Sequence, residues 1–174
     1  MEQAILTDIQ KKVIIAVSQE PNLSNFYLTG GTALSVYYFH HRISDDLDFF
    51  SFEEPDKIFL HNFTEKLKII LNAISLRYER LYDRNQFFYK LNHEELKVEF
   101  SKYPFLQLED TIIKNGVKID SLRDIAANKL MAILDRFDPK DFVDFFFILD
   151  KFKLKNIRRD VKKKFGIEVD SIFL

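Results

Sequence analysis

The order of patterns along this chain predicts an α+β fold: a mixed β-sheet flanked by helices, with a helical C-terminal part. Three observations lead there. Short apolar runs separated by polar turns fill residues 76–101, Gly30-Gly31 stands between a strand pattern and a helix pattern, and beyond residue 121 apolar residues recur at helical spacing. The 174 residues, 47% hydrophobic and 30% charged, suit one ordinary domain with a real core. Residues 1–174 are therefore expected to form one domain, about 1–120 an α/β core and about 121–174 a helical subdomain.

Taken in order, residues 4–19 read as a helix with Ile5, Ile9, Val13, Ile14 and Val17 on one face. Residues 25–29 suggest a short strand that ends at Gly30-Gly31, and a helix over 32–39 follows. Residues 47–52 form a strand candidate with acidic residues at its start. Pro55 opens a longer helix to about residue 73, at a first turn where its missing N–H does no harm. Three β-like runs come next, 76–82, 86–92 and 96–101, with Asp83-Arg84-Asn85 and His93-Glu94-Glu95 as turns. A short strand at 117–119 precedes helices over 121–137, 139–150 and 153–165. Asp138 and Pro139 look like an N-cap and a first helical residue, which places Asp141 where capping and the helix dipole would account for it. Nothing repeats, and no Gly/Ser or Pro-rich linker divides the chain.

Composition excludes several classes. With no cysteine there are no disulfides, thiolate metal sites or Cys nucleophiles, which fits a cytoplasmic setting. No apolar run approaches the ~20 residues of a membrane span, and residues 1–10 lack a leader pattern, so the expectation is a soluble, intracellular protein with no membrane partner. The aromatic share rests on 19 Phe, with 7 Tyr and no Trp, and most of these rings are expected in the core. A net charge of −1 makes no overall case for a nucleic-acid partner. Locally, residues 45–56 hold six carboxylates and no base, while 151–164 hold eight basic residues against Asp160. The basic run reads as a solvated helix face, or as a docking surface for RNA or an acidic partner.

Chemistry concentrates near residue 30. Paired glycines between strand and helix let a backbone approach phosphate closely, and the helix N-terminus offers unpaired N–H groups; a tight turn is the plainer reading. Asp46 and Asp48, two apart on a strand, point to one face while Leu47 and Phe49 face the core. Two adjacent carboxylates are unfavourable unless a cation joins them, and Mg²⁺ or Mn²⁺ suits such oxygen ligands. Glu99, between Val98 and Phe100, completes a three-carboxylate metal site if its strand lies beside that pair; otherwise it faces solvent. On the helix over 121–137, Leu122, Ile125, Ala126, Ile133 and Phe137 form an apolar stripe that includes Lys129, with Arg136 on its flank. A Lys there either snorkels out or faces a polar cavity. Asp144, set among Phe142, Val143, Phe145, Phe146 and Phe147, needs a cationic partner, with Lys129 or Arg136 the candidates. His40 and His41 read as surface residues.

Gly-Gly, then D-x-D, then an apolar–acid–apolar strand resembles the polymerase-beta type of nucleotidyltransferase fold. The wording G-G-T-A-L…R-I-S-x-D-L-D-F-F, from Gly30 to Phe50, is similar to the AbiEii/AbiGii toxin family of nucleotidyltransferases. It resumes at residues 122–130, Arg136 and Lys140-Asp141-Phe142-Val143-Asp144, so it spans roughly 26–150. The chain departs from the family in carrying Glu at the third carboxylate and in being short.

The resemblance implies that Lys129 contacts nucleotide phosphates. It also implies nucleotide contacts from Gly30, Gly31, Thr32, Arg42, Ser44 and Arg136, although Ser44 reads equally as a loop cap. Asp46, Asp48, Lys129 and Asp144 are the expected catalytic residues, with Asp141 second to Asp144 as the late acid, and Asp46, Asp48 and Glu99 the expected metal ligands. The implied reaction moves a nucleoside monophosphate from an NTP to a tRNA 3′ end or a protein hydroxyl, as the toxin half of a toxin–antitoxin or phage-defence pair with a cognate antitoxin. Two rivals stand beside it, a non-catalytic nucleotide- or partner-binding domain and a kinase-like transfer of the γ-phosphate.

Overall fold

The computed structural model describes residues 6–170. Seven strands form one mixed sheet: β1 (Tyr27–Thr29), β2 (Leu47–Ser51), β3 (Ser75–Leu81), β4 (Arg84–Lys90), β5 (Glu95–Lys102), β6 (Ile112–Lys114) and β7 (Val117–Ile119). Six helices accompany them: α1 (Asp8–Ser18), α2 (Gly30–Leu34), α3 (Lys57–Leu71), α4 (Leu122–Arg136), α5 (Pro139–Leu149) and α6 (Leu154–Phe165). The spatial order is β3-β4-β5-β2-β1-β7-β6, with β2–β5 and β1–β7 parallel and the other pairs antiparallel. The architecture is α+β.

Side-chain alternation divides the helices between the two faces. Leu47, Phe49, Val98 and Phe100 are fully buried, Phe49 stacks on Phe100, and Phe63 of α3 meets Phe100 edge-on. The opposite face carries Asp48 and Phe50; Phe50 stacks on Tyr103, whose ring meets Phe165 of α6. One buried cluster joins residues of β1, β2, β4 and β5 to Ile125, Leu130, Ile148, Ile157 and Val161 of the last three helices.

Local signals explain most helix ends. Thr7 and Gln10 form a reciprocal capping box before α1, and Ser121 caps α4. Asp138 caps α5 with Pro139 in the first position, as expected. Pro55 instead precedes the α3 cap, Asp56, whose carboxylate accepts from the Phe59 N–H. The first helix is described from Asp8; the expected start at residue 4 and Ile5 on its face lie outside the described residues. After α2 the chain continues as a π-helical turn, Ser35–Phe39, which ends at His40 with φ 54°.

Several expectations fail on turns. The β3–β4 turn is Tyr82-Asp83, so Arg84 and Asn85 belong to a strand. Strand β6, absent from the sequence reading, pairs with β7 across Asn115-Gly116, both at positive φ. Asn-Gly is a strong two-residue hairpin signal. Phe137 closes α4 in the left-handed conformation and is 68% exposed, so it leaves the expected apolar stripe. Phe52, Phe105, Phe142 and Phe146 are also exposed, while more of the described phenylalanines lie in the buried cluster or pack against it.

Candidate active site

The site grows from the β1–α2 junction and the β2–β5 pair. Antiparallel register sets Thr29 opposite Asp48, and parallel register sets Asp48 opposite Glu99. Gly30 has φ +71°, and a Cβ there would stand 2.7 Å from Asp48 Oδ2. The backbone thus passes directly against the carboxylate, at a φ that favours glycine. A Cβ on Gly31 would strike the Arg42 guanidinium and come within 3.1 Å of Ser44 Oγ. Thr29 offers α2 no side-chain cap, since its hydroxyl donates to Asp120 at 2.7 Å. Thr32 donates instead to the Asp46 carbonyl and holds the acidic loop to the helix.

Asp46, Asp48 and Glu99 converge on one cation, Lys97. Its Nζ lies 3.2 Å from Asp46 Oδ2, 3.5 Å from Asp48 Oδ1 and 3.7 Å from Glu99 Oε2. Burial alone would lower the Lys97 pKa, but the three carboxylates more than offset it and raise it. Packing pushes the Asp48 carboxyl up; Lys97 opposes this and Glu99 and Asp46 add to it. The sequence reading singled out the three acids and missed Lys97, although it lies two residues before Glu99 and so on the same face.

Glu99 is engaged differently from a free metal ligand. Arg84 grips both oxygens at 2.7 Å, Ser101 donates to Oε1 at 2.6 Å and Gln86 to Oε2 at 2.9 Å. These four bonds fill the ~four acceptor positions of a carboxylate. Burial pushes Glu99 up, yet the Arg84, Ser101 and Gln86 contacts bring it down to about 2. Lys97 and Arg84 together leave the three acids one net negative charge.

A second cluster lies beyond the glycines, and here two expectations need correction. Asp141 is no helix cap. It is 1% exposed and accepts from Lys129 at 2.8 Å and from Arg136 at 2.7 and 3.1 Å. Asp144, fully buried, takes Lys129 at 2.5 Å, Arg42 at 2.6 and 2.8 Å and His41 Nε2 at 2.7 Å. His41 is therefore not a surface residue; its side chain is fully buried, and its Nδ1 has no hydrogen-bond partner among the described residues. Burial pushes Asp144 up, but the hydrogen bonds from Arg42 and His41 and the Lys129 charge hold it far below the usual carboxylate range. Lys129, 6% exposed, faces this polar cluster rather than snorkelling outward. Arg42, Lys129 and Arg136 against two aspartates leave a net positive charge, and the field of Asp48 reaches Arg136. An anionic patch and a cationic patch thus flank one glycine turn.

The acid pair fits a hard divalent ion, because its oxygens already close around a cation. They are set at ammonium distance, however, against the ~2.0–2.1 Å of Mg²⁺. Among the described residues no three His, Asp or Glu side chains are spaced to hold a metal as they stand. With Glu99 saturated, Asp46 and Asp48 are the ligands on offer. Two carboxylates completed by substrate phosphates are a usual Mg²⁺ arrangement.

The basic run near the C-terminus is only partly a solvated face. Lys164 is buried and bonds Asp124 at 2.6 Å, while Asp160 pairs with Arg123 at 2.6 and 2.7 Å. Lys153, Lys155, Arg159, Lys162 and Lys163 are exposed. Among the described residues no helix is long and apolar enough to cross a membrane.

Comparison with known proteins bears on the family and the fold. The model of the AbiEii family, described as "Nucleotidyl transferase AbiEii toxin, Type IV TA system", matches residues 14–168. The uncharacterized protein aq_aa25 of Aquifex aeolicus (strain VF5) is 36% identical over 148 residues, covering 82% of this chain and 67% of that protein. The fold is similar to that of JHP933 from Helicobacter pylori, with a TM-score of 0.64, 21% identity and coverage of 90% of this chain and 72% of that one. The Megavirus polyadenylate synthase gives a TM-score of 0.52 at 14% identity, over 81% of this chain and 31% of that one. The chain belongs to the AbiEii nucleotidyl transferase toxin family of type IV toxin–antitoxin systems.

Proposed function

We propose that this nucleotidyltransferase moves a nucleoside monophosphate from an NTP to a hydroxyl of an RNA, such as a tRNA 3′ end, or of a protein, as the toxin of a toxin–antitoxin pair. The observation that carries the reading is the approach of Gly30 to Asp48. A phosphate lying along the Gly-Gly backbone would be within reach of the acid pair on one side and of the Arg42–Lys129–Arg136 cations on the other.

Asp46 and Asp48 would hold Mg²⁺ or Mn²⁺, which, when bound, supplies charge neutralisation at the α-phosphate. The chain's own residues do the rest. Gly30, Gly31 and Thr32 present backbone close to the phosphates, with Asp48, the Arg42 guanidinium and Ser44 beside the two glycines. Lys129, Arg42 and Arg136 supply the cations for the triphosphate, held in place by Asp141 and Asp144. One carboxylate of the Asp46–Asp48 pair would accept the proton of the attacking hydroxyl. The acceptor oxygen bonds to the α-phosphorus, the bond to the β-phosphate oxygen breaks, and pyrophosphate leaves. Glu99 anchors Arg84 and Lys97 beside the acid pair and adds no free ligand.

Nucleotide labelled at the α- or the γ-phosphate, incubated with total cellular RNA and protein, tests this. The α-label should enter the acceptor and the γ-label should leave as pyrophosphate. Retention of the γ-label in the acceptor would mean kinase-like transfer instead.

A further inference from the structure

We propose that Lys97 is the resident cation of the Asp46–Asp48 site and excludes a free divalent ion until a nucleoside triphosphate gives its amino group another anionic partner. The proposal rests on the metal reading of that acid pair.

The geometry supports it in three ways. Lys97 Nζ stands where the acid oxygens converge, within 3.2–3.7 Å of all three carboxylates. Among the described residues it is the cation paired with Asp46 and Asp48, whereas Glu99 has Arg84 besides. Its side chain is only 18% exposed, so the amino group is settled among the acids rather than waving in solvent.

A divalent ion bound by Asp46 and Asp48 would need the same oxygens and would stand beside the ammonium, where like charges repel. Metal entry and departure of the amino group are therefore linked. A free ion must expel Lys97 from three carboxylates with nothing to receive it. A metal–triphosphate complex brings several phosphate oxygens as new partners, and the flexible four-carbon stem allows the transfer. Charge count agrees: with Lys97 in place one net negative charge remains, and with Lys97 withdrawn two remain, which matches one divalent ion.

Mn²⁺ alone, without nucleotide, is the probe, with binding to the full chain measured by electron paramagnetic resonance. Lys97→Met keeps the stem and removes the charge, and should bind Mn²⁺ at least tenfold more tightly than the parent. Lys97→Arg keeps a cation and should bind as weakly as the parent. Adding Asp48→Asn to Lys97→Met should abolish the gain. Lys97→Gln repeats the measurement with a polar side chain if the Met variant fails to fold. Equal Mn²⁺ affinity in the parent and the charge-removed variants overturns the proposal; if that shared binding vanishes with Asp48→Asn, the metal reading itself survives. No Asp48-dependent Mn²⁺ binding in any of the proteins, with or without NTP, overturns both.

Discussion

Gly30 and Asp48 meet across the β1–β2 pair, with Asp48 Oδ2 2.7 Å from the place a Gly30 Cβ would take. Gly30→Ala therefore meets two obstacles, a φ of +71° and a collision with the carboxylate. The variant should lose stability by about 1–3 kcal/mol and most of its nucleotidyl transfer. Denaturant unfolding and turnover measured together check this; a variant active at parental levels would show that the turn need not touch Asp48.

Lys129 is held by two buried aspartates, so neutralising either should be costly. Asp144→Asn removes the anion shared by Arg42, Lys129 and His41, and a broken buried pair costs about 3–5 kcal/mol. Asp141→Ala should lower both stability and turnover, because the α5 cap is Asp138 and Asp141 holds Lys129 and Arg136. Lys129→Met keeps the stem and should still lose on the order of 10²–10³-fold in turnover. Melting temperature beside turnover separates the roles: a fully active Asp141→Ala would remove it from the site.

The buried Lys164–Asp124 pair ties α6 to α4. Lys164→Met should destabilise the protein by on the order of 3 kcal/mol, while Lys163→Met, exposed one residue away, should stay within about 0.5 kcal/mol. Equal melting temperatures for the two would mean that Lys164 contributes no more than its exposed neighbour.

Two carboxyls give opposite pH dependences. Burial pushes Asp120 up to about 7 from 3.8, against the opposing effects of Lys164 and Thr29. Its folded state holds the proton longer than the unfolded chain, so its contribution to stability falls as pH rises from about 4 to about 7. Glu99, lowered to about 2, contributes stability that is present above about 4.5 and lost as pH falls toward 2. Unfolding free energies across pH 3–8 should lose their downward slope between 4 and 7 in Asp120→Asn; an unchanged slope would contradict the assignment.

The sequence marked the acids that the structure brings together and left their cationic partners hidden. Asp48 on the site face follows from strand alternation and Glu99 from an acid inside an apolar run, whereas Asp46 stands in the loop just before β2. Which cations meet them depends on register: Arg84 reaches Glu99 because β4 begins two residues earlier than the turn residues suggested. His41 looked exposed because adjacent histidines diverge at a helix end. That divergence sends His40 outward and His41 onto Asp144, a residue 103 positions away. Asn115-Gly116 could have revealed β6, but Ile112–Lys114 is too short to show an alternation.

Pyrophosphate release by the parent and by Asp48→Asn, with NTP, Mg²⁺ and cellular RNA or protein as acceptor, tests the central claim most directly. The parent should release pyrophosphate in step with α-label incorporation, and Asp48→Asn should do neither while unfolding at or above the parental temperature, since one like charge is gone. Near-parental release by a folded Asp48→Asn would contradict the assignment of Asp48 to the reaction.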